Sequence, residues 1–155
     1  MYRHLLIVVN DHPSSRVAVE HGVDLARSLN ARVSFVHVLP REHVAVTDLP
    51  PVVTLAPDTF AQEASRQAGQ LLDAALVVAA RSAVIATKVV LDVPNPVDGI
   101  ASQARDQGCD LIIVGTEGGN ALVRLLTGSC VPGLITRAGV PVLVCHATDP
   151  LPSST

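Results

Sequence analysis

Four residues in the C-terminal third of the sequence have types and spacing suited to holding phosphate. Gly115, Gly118, Gly128 and Ser129 form the pattern G-x2-G-x9-G-S. Glycines allow backbone N–H groups to approach and face phosphate oxygens, and a serine hydroxyl adds one more donor. Because the stretch 109–137 contains no lysine, such a site would hold its anion mainly through the backbone.

Two better-known phosphate-binding patterns are absent from the sequence. It contains no G-x4-G-K-[ST], which argues against a P-loop NTPase, and no G-x-G-x-x-G after the first predicted strand, which weakens a dinucleotide dehydrogenase interpretation. The glycines alone leave a second interpretation open, in which they form a tight turn and a helix with Gly128 at a close packing contact. No Ser-His-Asp or Cys-His arrangement is evident from the spacing, so no catalytic residue is predicted.

Short apolar runs and helical periodicity predict strands and helices that alternate along the chain. Strands are predicted over Leu5–Val9, Arg32–Val38, Ala86–Leu91, Leu111–Val114 and Pro141–Cys145. Helices are predicted from Ser14 or Ser15 to Asn30, from Thr59 (with Gln62 completing a capping box) to Ala79, from Pro96 (capped by Asn95) to Gly108, and from Leu122 to Arg137.

This alternation indicates an α/β fold, an open five-stranded parallel doubly wound sheet of Rossmann-like order 3-2-1-4-5 with helices on both faces. Ligands of such sheets lie outside the carboxyl ends of the strands where the strand order reverses, between the first and fourth strands. The polar turn at Asn10 follows the first strand, and the loop that begins at Gly115 follows the fourth. Two turn-rich segments far apart in sequence are therefore expected to face one crevice, which favours nucleotide binding over a packing role for the glycines.

Length and composition limit the class of protein. The 155 residues predict a single domain over 1–147, with a long loop at 40–57 and a disordered tail at 148–155. No apolar run is long enough to cross a bilayer and no secretory leader is evident, so a cytoplasmic protein with no membrane partner is expected. Net charge is −3, the 11 Lys and Arg residues are scattered and aromatic residues make up 2% of the chain, which argues against binding of nucleic acid.

The cysteines and one histidine have structural interpretations. Cys109, Cys130 and Cys145 form no C-x-x-C pair, so buried thiols are expected rather than disulfides or a metal site. His37, inside the second predicted strand, is expected to be a satisfied core or interface histidine.

On these motifs the sequence resembles the universal stress protein family, whose ATP-binding branch carries G-x2-G-x9-G-[ST] after its fourth strand. The resemblance extends to the opening strand LLIVVN, the VHV that ends the second strand and the closing PVLVCH, so it covers nearly the whole chain. It implies an ATP pocket in which the backbone near Val8 and Val38 meets the base and the residue at Asn10 helps to hold the nucleoside. It also implies that residues 115–121 wrap the phosphates and residues 129–131 complete them. The site residues implied there are Gly115, Thr116, Gly118, Gly119, Asn120, Gly128, Ser129, Cys130 and Val131.

The sequence departs from the family pattern in two places. The family usually ends its first strand with Val-Asp, whereas this chain has Asn10, with Asp11 one place later; an asparagine can accept and donate but loses the charge-assisted bond. The family often has a basic residue after the second glycine of the motif, whereas here Gly119 follows Gly118 and Arg124 is the nearest cation in sequence. A bound triphosphate would then depend more on Mg²⁺ for charge neutralisation.

The function predicted from these residues and this resemblance is that of an ATP-binding regulatory protein in the stress response, with the nucleotide as a conformational ligand. Little or no hydrolysis is expected, because fast phosphoryl transfer needs a positioned base and cationic stabilisation that the motif does not supply. The resemblance also suggests a homodimer formed through the apolar fifth strand, Val142–Val144. Two alternatives stay open: a nucleotide-free dimeric scaffold that acts through protein contacts, and a slow ATPase. The downstream protein partner is not named by the sequence.

Overall fold

A computed structural model of the chain describes residues 1–39, 57–116, 131–148 and 150–152, with the backbone alone at 57 and 58. Its elements in chain order are β1 (His4–Val8), α1 (Pro13–Leu29), β2 (Arg32–Val38), α2 (Pro57–Arg81), β3 (Ala86–Leu91), α3 (Pro96–Asp106), β4 (Leu111–Thr116), α4 (Val131–Arg137) and β5 (Val142–His146). All neighbouring strands are parallel, and their order in the sheet is β3-β2-β1-β4-β5. The α/β fold and the strand order predicted from the sequence are therefore confirmed.

Each face of the sheet is covered by one pair of helices, because successive side chains of a strand point to opposite faces. Leu5, Ile7 and Phe35 pack with residues of α1 and α2, in what we call the α1–α2 cluster. Leu6, Val8 and Val36 pack with residues of α3 and α4, in what we call the α3–α4 cluster. Every residue of β1 is buried, as expected for the central strand of a sheet covered on both sides.

The helix ends agree with the sequence in part. Asn95 caps α3, since its Oδ1 accepts the N–H of Asp98 at 3.2 Å, and Gly108 follows that helix with a φ of +66°. The prediction that Ser14 or Ser15 caps α1 is wrong, because Pro13 takes the first helical position and His12 is the N-cap residue, without a side-chain capping bond.

Two further predicted boundaries are corrected by the structure. Helix α2 begins at Pro57, so Thr59 lies inside the helix and does not open a capping box there. Strand β4 does not end at Val114 but continues to Thr116, because Gly115 and Thr116 pair with Cys145 and His146 of β5. These two residues therefore belong to the sheet rather than to a loop.

Parts of the chain with sequence predictions lie outside the described residues. They are the loop at 40–56, the glycine stretch at 117–130 with the first part of the helix predicted from Leu122, and the last three residues. Within the tail, the Pro150 carbonyl accepts a hydrogen bond from His21 Nε2 of α1 at 2.7 Å. None of the helices in the described ranges has both the length and the apolar character needed to cross a bilayer.

A buried polar cluster lies at the N-terminal end of the sheet. His4 Nδ1–H donates to the Gln107 carbonyl at 3.1 Å. Ser34 Oγ donates to Gln107 Oε1 and lies 2.8 Å from His4 Nε2. Burial, followed by the positive charge of Arg32, lowers the pKa of His4, while its bond to Gln107 and the Asp110 carboxylate act in the opposite direction. The cluster joins β1 and β2 to the end of α3.

Candidate functional site

The candidate site lies where β1 and β4 run side by side at the centre of the sheet. Helix α1 leaves β1 toward one face, and α4, which follows β4 in the chain, covers the other face. The strand order therefore reverses between β1 and β4, and doubly wound sheets bind ligands outside the carboxyl ends of the strands at such a point.

Three valines implied by the sequence resemblance belong to one apolar cluster or pack against it. Val8 at the end of β1 and Val131 at the start of α4 both belong to the α3–α4 cluster, with exposures of 8% and 4%. Val38 at the end of β2 is half-buried and packs against the same cluster. The structure thus places residues from three separate segments in or against the same apolar cluster, on the face of the sheet that α3 and α4 cover.

Gly115 brings the end of β4 into direct contact with the start of α1. A Cβ placed on Gly115 would collide with the Ser14 carbonyl and would lie 2.8 Å from the Ser15 backbone nitrogen. Both obstacles are backbone atoms, which cannot rotate away as a side chain can. Packing alone therefore requires a glycine here, a requirement that the spacing of the motif did not reveal.

The turn after β1 is held by Asn10 and Ser15. The Asn10 side-chain oxygen accepts the N–H of His12 at 2.9 Å, and the Asn10 backbone N–H donates to Ser15 Oγ at 2.9 Å. Such a bond from an asparagine oxygen to the backbone two residues later is an Asx turn. Since the oxygen is used within the turn, the amide NH₂ is the part of Asn10 best placed to meet a ligand.

His37 is tied to the end of β1, which the sequence did not indicate. Its Nδ1 lies 2.7 Å from the Val9 carbonyl, and because a carbonyl only accepts, Nδ1 carries the proton. The half-buried ring therefore has a hydrogen-bond partner, as expected from the sequence. The sequence did not predict that this bond links β2 to the residue that follows β1. Which residues lie opposite one another depends on the parallel register of the two strands.

A groove of about 420 Å³ lies beside the same end of β1 on the opposite face. Its floor includes Val9, Val19 and Ala75 of the α1–α2 cluster, and Arg16 and Glu20 of α1 are at its side. Asn10 lines this groove as well.

The structure describes only part of the predicted phosphate loop. Thr116 is half-buried, and its carbonyl accepts the N–H of Ala147 at 3.2 Å. The other predicted residues, Gly118, Gly119, Asn120, Gly128, Ser129 and Cys130, lie outside the described residues. The described part of the motif, Gly115, Thr116 and Val131, flanks this stretch on both sides.

Comparison with known proteins identifies the family of this chain. The model of the universal stress protein family matches residues 1–146. The chain belongs to the universal stress protein family. Among curated members, universal stress protein YxiE of Bacillus subtilis is 26% identical over 148 residues, which cover 93% of this chain and 99% of that protein.

Solved structures of the family share the fold of this universal stress protein. A protein from Archaeoglobus fulgidus, in complex with dAMP, has a TM-score of 0.66 and 19% identity, covering 93% of this chain and 98% of that one. A family protein from Arabidopsis thaliana, with AMP bound, has a TM-score of 0.65 and 16% identity, covering 93% of this chain and 91% of that one. At this level of identity the likeness concerns the fold.

Proposed function

We propose that this universal stress protein binds an adenine nucleotide, ATP with Mg²⁺, at the carboxyl ends of β1, β2 and β4. The observation that carries the proposal is the position of Val8 and Val38 at the carboxyl ends of neighbouring strands, where both pack in or against the same apolar cluster. An apolar floor of this kind suits a purine base, and polar groups at its margin fix the orientation of a ligand. Related proteins with the same fold hold dAMP and AMP, which supports an adenine nucleotide as the ligand class.

The described residues fit such a ligand. The backbone at the ends of β1 and β2 faces the base, and the Asn10 NH₂ group offers a donor to the sugar, since its oxygen is engaged with His12. Gly115 keeps the end of β4 close to α1 and so fixes where the chain enters the phosphate stretch. Gly118, Gly128 and Ser129 are the proposed phosphate donors on the strength of the sequence motif.

The nucleotide is proposed to act as a conformational ligand with little or no hydrolysis. Phosphate binding by backbone N–H groups and a serine hydroxyl holds the triphosphate in place but provides no general base for water. Binding would lower the free energy of the conformation that closes on the nucleotide, and partners would respond to that conformation. We therefore propose a regulatory role for the nucleotide, in a cytoplasmic protein.

A second copy of the chain is the proposed partner at β5. This strand is one edge of the sheet, and an uncovered edge presents unpaired backbone groups. Leu143 of this strand has 40% exposure, and Ile135 of α4, the helix that precedes β5, has 61%. Pairing of β5 with its symmetry mate would cover both the edge and these side chains in a homodimer.

One observation favours a second function, that of a nucleotide-free dimeric scaffold. The Asn10 oxygen, at the position where the family usually has an aspartate, accepts a bond within its own turn. An acceptor for the sugar hydroxyls is therefore less available than a free carboxylate would be. If nucleotide affinity is lost altogether, the apolar surface would serve a protein contact.

Isothermal titration of ATP, ADP and AMP, with and without Mg²⁺, separates the two functions. We expect saturable ATP binding by the wild type and its loss in the double variant Gly118→Val, Ser129→Ala. The matched control is Gly69→Val, Ser28→Ala, since Gly69 has open space around it and Ser28 bonds only within α1 among the described residues. This control should bind ATP as the wild type does. Absence of heat for all three nucleotides with folded, nucleotide-free protein would reject the nucleotide function and support the scaffold.

A further inference from the structure

A pocket of about 480 Å³ lies at the opposite end of the sheet from the candidate nucleotide site. It is lined where α1 and α2 end and where the strands begin, by residues that include Arg3 before β1, Arg32 at the start of β2 and Ile85 before β3. With strands of about five residues, roughly 17 Å of sheet separates the two ends. We call this feature the basic pocket.

Three arginines line the basic pocket, and their guanidinium groups form no ion pair within the described residues. Arg3, Arg27 and Arg32 are all exposed, and the described part of the chain offers no ion pair or side-chain hydrogen bond to any of them. The cations that are paired within the described ranges, such as Arg66 with Glu63 and Arg137 with Asp98, lie elsewhere.

The carboxylate beside Arg3 is engaged by the backbone. Asp110 accepts the backbone N–H of Arg3 at 2.8 Å and of His4 at 3.1 Å through its two oxygens. It therefore anchors the chain at the start of β1 rather than pairing with a guanidinium. The charge of Arg32 also acts on His4 nearby, where it contributes to the lowered pKa of the imidazole.

The dipole of a helix accounts for the position of only one of the three arginines. Arg27 lies in the last turn of α1, where a cation interacts favourably with the helix dipole. Arg3 and Arg32 belong to no helix. Three like charges around one pocket repel one another, and an anion that bound between them would relieve this repulsion.

Two features of the pocket indicate what kind of anion fits. Guanidinium groups present donors in a planar fork that matches phosphate oxygens in pairs, and the exposed Asn30 amide adds a donor at the rim. Ile85, with 77% exposure, provides an apolar wall. The volume falls within the range of pockets for small molecules.

From these observations we infer that the basic pocket is a second ligand site, which binds a small molecule carrying two or more phosphate groups. The site is separate from the proposed nucleotide site and does not depend on it. Its occupant would bridge the end of α1 to the starts of β1 and β2, so binding would stabilise this end of the sheet.

The test is a titration of ¹⁵N-labelled full-length protein with sodium pyrophosphate, followed by two-dimensional NMR. We expect saturable shifts of the amides of Asn30, Arg32 and Ala83, which line the pocket. The variant Arg27→Gln, Arg32→Gln should bind pyrophosphate at least about tenfold more weakly for each arginine removed. Its amide spectrum and its ATP titration should otherwise match the wild type.

The control variant Arg66→Gln, Arg137→Gln removes the same charge from two arginines that are paired elsewhere and should bind pyrophosphate as the wild type does. The inference is overturned if both double variants lose affinity equally, or if sodium sulfate at equal ionic strength reproduces the shifts. It is also overturned if pyrophosphate shifts only the amides around Asn10 and Gly115. That last result would place the anion at the proposed nucleotide site, and it would not contradict the proposed function.

Discussion

Replacing Gly115 by alanine tests whether this glycine is needed for packing, apart from any role toward phosphate. The added methyl group would collide with the Ser14 carbonyl and approach the Ser15 nitrogen to 2.8 Å. Relief requires a shift of β4 or of the first turn of α1, both of which belong to the packed centre of the sheet. Overpacking of this kind costs about 1–3 kcal/mol of the free energy of unfolding.

Gly69→Ala is the matched control for this substitution. Gly69 lies inside α2, and a Cβ there would meet no atom within 4 Å. Alanine in a helix interior is about 0.5–1 kcal/mol more favourable than glycine. The two Gly→Ala variants should therefore move the free energy of unfolding in opposite directions.

Urea denaturation without nucleotide measures both effects, from the transition midpoint and slope. We expect Gly115→Ala to unfold at a lower urea concentration than the wild type and Gly69→Ala at an equal or higher one. Equal stability of Gly115→Ala and the wild type would show that the contact between Gly115 and Ser14 has room for a Cβ atom. A loss confined to ATP affinity would mean that the glycine serves the ligand rather than the contact between β4 and α1.

Three further predictions follow from particular side chains. Because the pKa of His4 is lowered in the folded state, protonation of His4 favours the unfolded chain. The contribution of His4 to the free energy of unfolding should be complete above about pH 6.5 and should decrease as the pH falls below that value. In thermal melts, His4→Gln should remove this part of the pH dependence. Burial, with the nearby Asp110 charge, raises the pKa of Cys109 to about 11. Iodoacetamide at pH 8 should therefore leave Cys109 unmodified in folded protein, which peptide mass spectrometry measures. Rapid labelling of Cys109 would contradict its burial. Leu143→Glu at the edge strand should convert the proposed dimer to monomer in light scattering without lowering the melting temperature of the monomer, and an unchanged mass would remove β5 as the interface.

The sequence predicts the fold well because the fold depends on local patterns. Apolar runs identify the five strands, and Asn95 with Pro96 marks the start of α3 as the structure has it. The errors occur where tertiary contacts override a local signal. Gly115 and Thr116 suggest a loop, but β5 pairs with them and extends β4. Pro13 displaces Ser14 and Ser15 from the cap of α1 because its fixed backbone angle suits the first helical position.

The candidate site is predictable to a smaller extent. The resemblance selects Val8, Val38 and Val131, and the structure places all three in or against the α3–α4 cluster; their role toward a nucleotide stays a prediction. Three contacts of the site were not predicted. They are the close approach of Gly115 to Ser14, the hydrogen bond between Asn10 and His12 within one turn, and the hydrogen bond between His37 and Val9. Residue types and spacing carry no information on such distances, so only the folded chain reveals these contacts.

The most direct test of the proposed nucleotide site is to locate bound ATP by amide shifts in ¹⁵N-labelled protein with Mg²⁺. We expect saturable shifts at the ends of β1 and β2, in Val9, Asn10 and Leu39, and at Gly115, while Asn30 and Ala83 at the opposite end of the sheet stay unchanged. Shifts confined to the opposite end, or no saturable shift with folded protein, would show that ATP does not bind at the ends of β1, β2 and β4.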